Sequence, residues 1–400
     1  MKTSNKTNRR QFIKVTATGL AGATLITGSD VEAKTRKKKE KIIYRTLGRT
    51  GVKLPIVSMG AMRGESKALI KMGIDKGIVH YDTAHVYQKG KNELMIGEIF
   101  KDQNRDDFFI STKIVPDDMD RKTGLLGEGA SAEKFMKNLD ISLERLQMKQ
   151  VDLLYLHAIS TKEATLHPEM LKALKTAKEQ GKTKFIGIST HKNEPEVIQA
   201  AMDAGIYDVV LTAYNFKQDH HDELKAMIKK GAEAGIGFVA MKTMAGGFLD
   251  KEQTEPVNTK AALKWVLQDE NICTSIPGFT AFEHLEESFS VMEDLKLTKQ
   301  EEKDLEFARE YAGLYCNQCD QCKGQCQKGL PIPEIMRAYM YTYGYRDMSQ
   351  AKDLLANMGV ENDPCASCDN CTVSCVKQFA IADKIKDVSR LANVPDEFIS

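Results

Sequence analysis

From Ile56 to Asp294 the chain alternates eight times between a short apolar run and a longer amphipathic run. The runs that read as strands are Ile56–Ala61, Ile78–Thr83, Phe108–Ile114, Val151–His157, Lys184–Ser189, Asp208–Asn215, Gly237–Lys242 and Cys273–Gly278. Those that read as helices are Ser66–Lys76, Asn92–Phe100, Ala132–Leu146, Pro168–Gln180, Pro195–Ala204, Asp222–Ala234, Thr259–Gln268 and Ala281–Asp294. In Ala132–Leu146, for example, Phe135, Leu139, Leu143 and Leu146 share one face at the 3.6-residue period. Eight strands, each followed by a crossover helix within ~250 residues, make a parallel sheet that can close on itself. The expected fold class is α/β, a (β/α)8 TIM barrel. An open doubly wound sheet competes, but no Gly-x-Gly-x-x-Gly follows the first strand. Upstream, Ile42–Tyr44 and Val52–Leu54 flank Gly48–Gly51 and read as a hairpin.

The chain has 400 residues, more than one barrel needs. It is 42% hydrophobic and 28% charged, and 57 basic residues balance 56 acidic ones. A net charge of +1 gives no electrostatic reason to expect nucleic acid or a membrane surface as partner. Residues 1–33 read as an export signal. Arg9 and Arg10, with Phe12 and Lys14, precede an apolar stretch from Val15 to Thr27 that is too short to span a bilayer. Val31-Glu32-Ala33 then offers a small-residue cleavage site. The paired arginines resemble a twin-arginine signal, which implies the periplasm or cell envelope as destination; a basic tail without structure is the plainer alternative. No Cys lies near the cleavage site, which argues against a lipid anchor. The expected domains are this signal, a basic linker at 34–41, the barrel at 42–298 and a tail domain at 299–400. No membrane span is expected in the mature chain.

Eight of the nine cysteines fall in the tail, in two copies of C-x2-C-x2-C-x3-C. The first holds Cys316, Cys319, Cys322 and Cys326; the second holds Cys365, Cys368, Cys371 and Cys375. Disulfides, the default in an exported protein, do not need identical spacing twice. Zinc would be satisfied by pairs of C-x2-C. The spacing is that of bacterial ferredoxins holding two [4Fe–4S] clusters. By that resemblance Cys316, Cys319 and Cys322 share a cluster with Cys375, and Cys365, Cys368 and Cys371 share the other with Cys326. The Pro usual after the fourth Cys is replaced by Gln327 and Val376. The tail is expected to be a mainly helical, ferredoxin-like domain, with helices at Lys299–Ala312, Pro333–Tyr341 and Ser349–Asn357, able to serve a redox partner protein.

In a barrel, catalytic groups gather where strands end and loops begin. Asp82, Lys113 and His157 end three successive expected strands, and Tyr87 follows the first of them. Taken singly, each has a structural explanation: a cap, a snorkelling Lys, a core His. Tyr44–Gly60, Asp82-Thr83-Ala84 with Tyr87, Ser111-Thr112-Lys113 and Leu154-Tyr155-Leu156-His157 together resemble the aldo-keto reductase family, over about residues 42–298. The resemblance implies that Tyr87 donates a proton to a carbonyl oxygen while a nicotinamide gives hydride to the carbon. A free phenol has a pKa of ~10, and the Lys113 ammonium, held by Asp82, is expected to lower it. His157 would orient the carbonyl.

For the cofactor, the resemblance implies Ser189 and Thr190 near the nicotinamide amide and Tyr214 and Asn215 as a stacking platform. Lys242 and Gly246, Gly278 and Glu287 would lie along the pyrophosphate and adenosine. NADP(H) is the family's habit. Leu211 stands where the family usually has Gln, and no Lys or Arg occurs from Cys273 to Leu295, which leaves NAD(H) open. His80 reads as a packed barrel residue, His220-His221 as solvated and Cys273 as buried. The expected function is that of an exported iron–sulfur oxidoreductase acting on a small carbonyl or alcohol substrate. The alternative is an electron-transfer module in which only the clusters turn over.

Overall fold

The computed structural model describes residues 42–399 apart from 63, 65, 250–254, 311–314, 361–362 and 369. The stretch read as export signal and linker, residues 1–41, lies outside the described residues. The described residues belong to one compact unit.

Eight strands run in sequence order around one sheet: β3 (Met59–Gly60), β4 (His80–Asp82), β5 (Phe109–Ile114), β6 (Val151–Leu156), β7 (Thr183–Thr190), β8 (Val209–Ala213), β9 (Gly237–Met241) and β10 (Ile272–Ser275). All neighbouring pairs are parallel. The first strand meets the last through bridges Val57–Ser275 and Gly60–Gly278, so the sheet closes. At the seam the Ser58 amide donates to Ser275 O at 2.8 Å and the Gly60 amide to Pro277 O at 3.0 Å. The expected strand Ile56–Ala61 is shorter here because its flanks pair only through these isolated bridges. Residue 60 must be small: a Cβ there would stand 2.6 Å from the Ile276 carbonyl oxygen.

The hairpin is present as β1 (Tyr44–Thr46) and β2 (Lys53–Pro55), antiparallel, with Arg45 opposite Leu54. It floors the barrel. Leu47 and Leu54 pack with Phe109, Leu153, Leu211 and Val239 in the interior. Arg45 fixes the floor by donating to the carbonyls of Leu267, Asp269 and Ile272. A second, outer shell lies between strands and helices, where the apolar stripe of Ala132–Leu146 buries Phe135, Leu139 and Leu146. Ser131 caps that helix by accepting from the Lys134 amide at 3.3 Å.

Lys299–Glu310 packs Leu305 and Ala308 against Phe216, Val257 and Ala261. By packing it belongs to the barrel's shell rather than to the tail. Beyond it, Ile332–Tyr339 runs on into a π-helical turn, Met340–Gly344, followed by Met348–Asn357 and Ile381–Ser389. These helices bury Ile335, Met336, Leu355, Ile385 and Val388 in a core of their own. No strand occurs among the described residues 315–399. Ile381–Ser389 and the single turn Lys162–Thr165 are helices beyond those expected from the sequence, the second too short for its periodicity to declare it. Among the described residues no helix is long and apolar enough to cross a membrane.

Replacing Gly60 with Ala should strain the seam and lower stability by about 1–3 kcal/mol, read from the urea midpoint. A midpoint unchanged from wild type would show that the seam can yield.

Candidate active site

Side chains two apart on a strand share a face. His80 and Asp82 on β4, and Ser111 and Lys113 on β5, therefore point into the barrel mouth, with Asp82 directly opposite Ser111. A continuous hydrogen-bonded chain joins them. His80 Nε2 lies 2.9 Å from Ser111 Oγ, and Ser111 donates to Asp82 Oδ2 at 2.6 Å. The Lys113 ammonium donates to Asp82 Oδ1, to Thr83 O at 2.7 Å and to Tyr87 Oη at 3.2 Å. The Tyr87 ring meets His157, from the end of β6, edge to face at 6.0 Å. The four groups expected to converge do so.

The turn that carries Tyr87 is built for that placement. Gln88, Lys89 and Gly90 are all left-handed, with φ of 50°, 54° and 89°. Gly90 also leaves room for Arg145, whose guanidinium carbon would stand 2.4 Å from a Cβ at that position. Arg145 donates to His85 O at 2.9 Å, pinning the turn to helix Ala132–Leu146. Below it, Asn92 donates to Ala61 O at 2.7 Å.

Burial works against the Lys113 charge, but Asp82 and Tyr87 outweigh it, and its pKa is raised. The lysine stays an ammonium. Tyr87 differs from expectation. Its pKa is raised, not lowered, because burial dominates; Lys113 pulls it down, but Asp82 opposes that pull. His157 is held well below the usual imidazole range by burial, then by Lys113, Arg121 and Arg337, so it is neutral at pH 7.

Asp82, Tyr87 and His157 line a cavity of about 1010 Å³, at the upper end of ligand-site volumes. The family match spans residues 58–261 and is to the aldo/keto reductase family. The chain belongs to that family. It is 24% identical over 316 residues to the L-glyceraldehyde 3-phosphate reductase of Escherichia coli K12, covering 64% of this chain and 90% of that one. It is 25% identical over 307 residues to L-galactose dehydrogenase of Arabidopsis thaliana, covering 66% and 92%. Among solved structures, the fold resembles aldo-keto reductase AKR11C1 from Bacillus halodurans in its holo form, with a TM-score of 0.55 at 20% identity, over 70% of this chain and all of that one. This aldo/keto reductase is a nicotinamide-dependent oxidoreductase.

Of the expected cofactor residues, Lys242, Gly246, Gly278 and Glu287 line the cavity. Ser189, Thr190, Tyr214 and Asn215 do not; all four are buried. Ser189 Oγ accepts from the Ala158 amide at 2.9 Å, and Thr190 Oγ1 donates to Lys192 O at 2.9 Å. Tyr214 packs on Trp265 and donates to Asp269 Oδ2 at 3.5 Å, so its ring is committed to the core instead of facing a ligand. Asn215 Oδ1 accepts from the Lys217 amide at 3.0 Å. Met241, at the end of β9, presents to the cavity where the expected ring does not. Lys242, left-handed at φ 56°, has its pKa pushed down to about 8 by burial and by Arg337. Leu211 is buried inside the barrel. His220 and His221, expected to be solvated, are partly exposed and also partnered: His220 Nε2 lies 3.0 Å from Glu194 Oε2, and His221 packs on Trp265.

Three contributors had no sequence signal. His191, from the loop after β7, stands 6.4 Å from the His157 ring. Arg337 and Tyr341 come from the tail and close one side of the cavity. The tail is docked by Lys192, which pairs with Asp320 at 2.7 Å and approaches Glu334 at 3.9 Å.

None of the nine cysteines is in a disulfide. Cys316 interacts electrostatically with Cys319, Cys322 and Cys375, and Cys365 with Cys368, Cys371 and Cys326. The two motifs are laced together: Thr372 Oγ1 donates to Gln325 O at 2.8 Å, and the Ser374 amide to Gln325 Oε1 at 2.7 Å. Among the described residues no three His, Cys, Asp or Glu side chains converge on a point where one metal ion could sit. A four-iron cube is held at separate corners and does not require such a point.

His80, like His157, is kept neutral by burial, its pKa lowered to about 4. A histidine whose folded pKa lies below its unfolded value of 6.5 contributes stability above pH 6.5 that is lost as pH falls. Each such group should cost roughly 1.4 kcal/mol per pH unit on acidification below that value. Urea midpoints should fall steeply between pH 6.5 and 5, with proton uptake on unfolding; a flat profile would contradict the burial of these imidazoles.

Proposed function

We propose that this aldo/keto reductase is an exported iron–sulfur enzyme that reduces an aldehyde or ketone, or oxidises the corresponding alcohol, with Tyr87 as the proton donor. The observation that carries this reading is the single Lys113 ammonium hydrogen-bonded to both Asp82 and Tyr87 at the cavity wall. Bound in that cavity, a nicotinamide supplies the hydride. A phenol with a raised pKa keeps its proton at neutral pH, so it is available to the developing alkoxide. After the transfer, Lys113 stabilises the phenolate left behind. Neutral His157 donates an N–H to the carbonyl oxygen and fixes its orientation. Asp82, anchored by Ser111, keeps the ammonium aimed at the phenol.

Lys242, Gly246, Gly278 and Glu287 would hold the dinucleotide, with Ser189, Thr190, Tyr214 and Asn215 as buried support. NADP(H) is the family's usual cofactor. The lining from Ile276 to Ser288 carries Glu287 and His284 and no Lys or Arg. That favours a ribose hydroxyl over a 2′-phosphate, hence NAD(H).

The grouping of Cys316, Cys319 and Cys322 with Cys375, and of Cys365, Cys368 and Cys371 with Cys326, supports two [4Fe–4S] clusters in the crossed arrangement. Held there, the clusters supply one-electron exchange with a partner protein. Burial and crowding push the Cys316 thiol up to about 12, and bound iron would relieve that repulsion. An electron-transfer module with the barrel as binding platform is the second reading, favoured by the lack of cations along 276–288. Export rests on the signal sequence, and carriage of a folded, cluster-loaded chain suits the twin-arginine route.

Tyr87→Phe, purified anaerobically, should lose about 10²–10⁴ in kcat while keeping its iron and its affinity for nicotinamide. Unchanged turnover of every carbonyl tested would remove the enzyme reading in favour of the module. The wild-type protein should carry roughly eight irons and eight sulfides, and Cys375→Ser about half. The mature chain should begin near Lys34, and replacing Arg9 and Arg10 by Lys should keep it in the cytoplasm.

A further inference from the structure

We propose that the barrel mouth carries an anion subsite formed by Arg121 and Arg337, so that the substrate is a carbonyl compound bearing a carboxylate or phosphate group. This identifies the substrate class for the reduction assigned above to Tyr87, and rests on that reading.

The two arginines come from unrelated parts of the chain. Arg121 lies on the loop between β5 and helix Ala132–Leu146; Arg337 lies on the tail helix Ile332–Tyr339. Both line the cavity that holds Tyr87 and His157. Both also act on the electrostatics of His157, so they stand near the place where a carbonyl would react.

Neither guanidinium is fully used. Arg337 is 9% exposed, and its Nη2 binds Glu334, yet its Nε is buried with no partner. Arg121 makes no hydrogen bond or ion pair with any described residue. The acidic groups nearby are committed elsewhere. Glu334 is held by Arg337 and shared with Lys192 and, at longer range, Arg121; Asp320 serves Lys192, and Asp120 accepts from the Lys122 amide and from Thr123 Oγ1. A side cavity of about 20 Å³ lies among Arg121, His191, Lys192, Glu334 and Arg337, with room for one water.

Two cations side by side in a desolvated wall repel unless an anion joins them. The Arg121 pKa is lowered by burial and then by Arg337, the signature of that repulsion. Glu334 answers Arg337, Lys192 and Arg121 together, and Asp320 pairs with Lys192, so three cations face two carboxylates and one positive charge is left over. Planar guanidinium forks suit the paired oxygens of a carboxylate or phosphate, and a charge-assisted pair of this kind fixes orientation as well as affinity. An acidic group clamped by both arginines would hold the substrate across the join between barrel and tail, with its carbonyl toward Tyr87.

The test uses the anaerobically purified holoprotein with saturating nicotinamide cofactor, so that the cofactor's own phosphates do not compete. Succinic semialdehyde is compared with butanal, and glyceraldehyde 3-phosphate with glyceraldehyde. At least one anionic member should be preferred tenfold or more in kcat/KM, and the better of the two identifies carboxylate or phosphate. Arg121→Gln should shrink that preference at least tenfold, mainly through KM. Arg337→Lys, which retains a charge for Glu334, should shrink it too. Glutarate and inorganic phosphate, which cannot be reduced, are titrated by calorimetry; the matching anion should bind to wild type and to Tyr87→Phe but not to Arg121→Gln. A preference ratio near one, with neutral carbonyls turned over, overturns the subsite and leaves the role of Tyr87 standing. Anion binding that depends on Arg121, with no carbonyl reduced, upholds the subsite and overturns the reduction.

Discussion

One buried ion pair organises this molecule. Lys113 and Asp82 are almost completely excluded from solvent inside the barrel mouth. Burying two charges is unfavourable unless geometry and further hydrogen bonds compensate. Here the compensation is explicit: Ser111 and the Thr83 carbonyl satisfy the remaining groups, and the third ammonium proton faces Tyr87. The pair needs β4 and β5 in register, and the register needs the closed barrel beneath it. Removing either partner would leave an uncompensated charge, at a cost of about 3–5 kcal/mol. The arrangement puts a fixed positive charge against a phenol.

That charge does not make the phenol acidic in the resting protein. The ammonium's attraction for the phenolate is partly cancelled by Asp82, and burial of the ring prevails. Arguing from free pKa values counts the neighbouring cation and overlooks both the counter-charge that holds it and the loss of water. The result is a phenol that keeps its proton at neutral pH, beside a fixed cation.

The tail does more than hold thiols. Its helix Ile332–Tyr339 and the π-helical turn after it bring Arg337 and Tyr341 to the barrel mouth. Cys316 lies close enough to Lys242 to influence its charge, so the first cysteine motif abuts the cavity wall. Tyr315 backs the same loop, 3.4 Å from where a Cβ on Gly246 would be. The two parts of the chain share one cavity, and the residues that shape it are drawn from both.

The strand–helix alternation, the barrel it implies, and the four polar residues at strand ends were legible from residue order. Each depends on local periodicity and on where a strand stops. The cysteine spacing was legible for the same reason, since the separation of residues two or three positions apart is set by the chain itself. Tertiary structure alone decided that Tyr214 turns to Trp265 and not to a ligand. It alone decided that His191, Arg121 and Arg337 meet beside His157, and that Tyr87 is a weaker acid than its neighbour suggested. Those outcomes depend on packing between segments far apart in the chain and on how much water that packing removes. No local pattern encodes either.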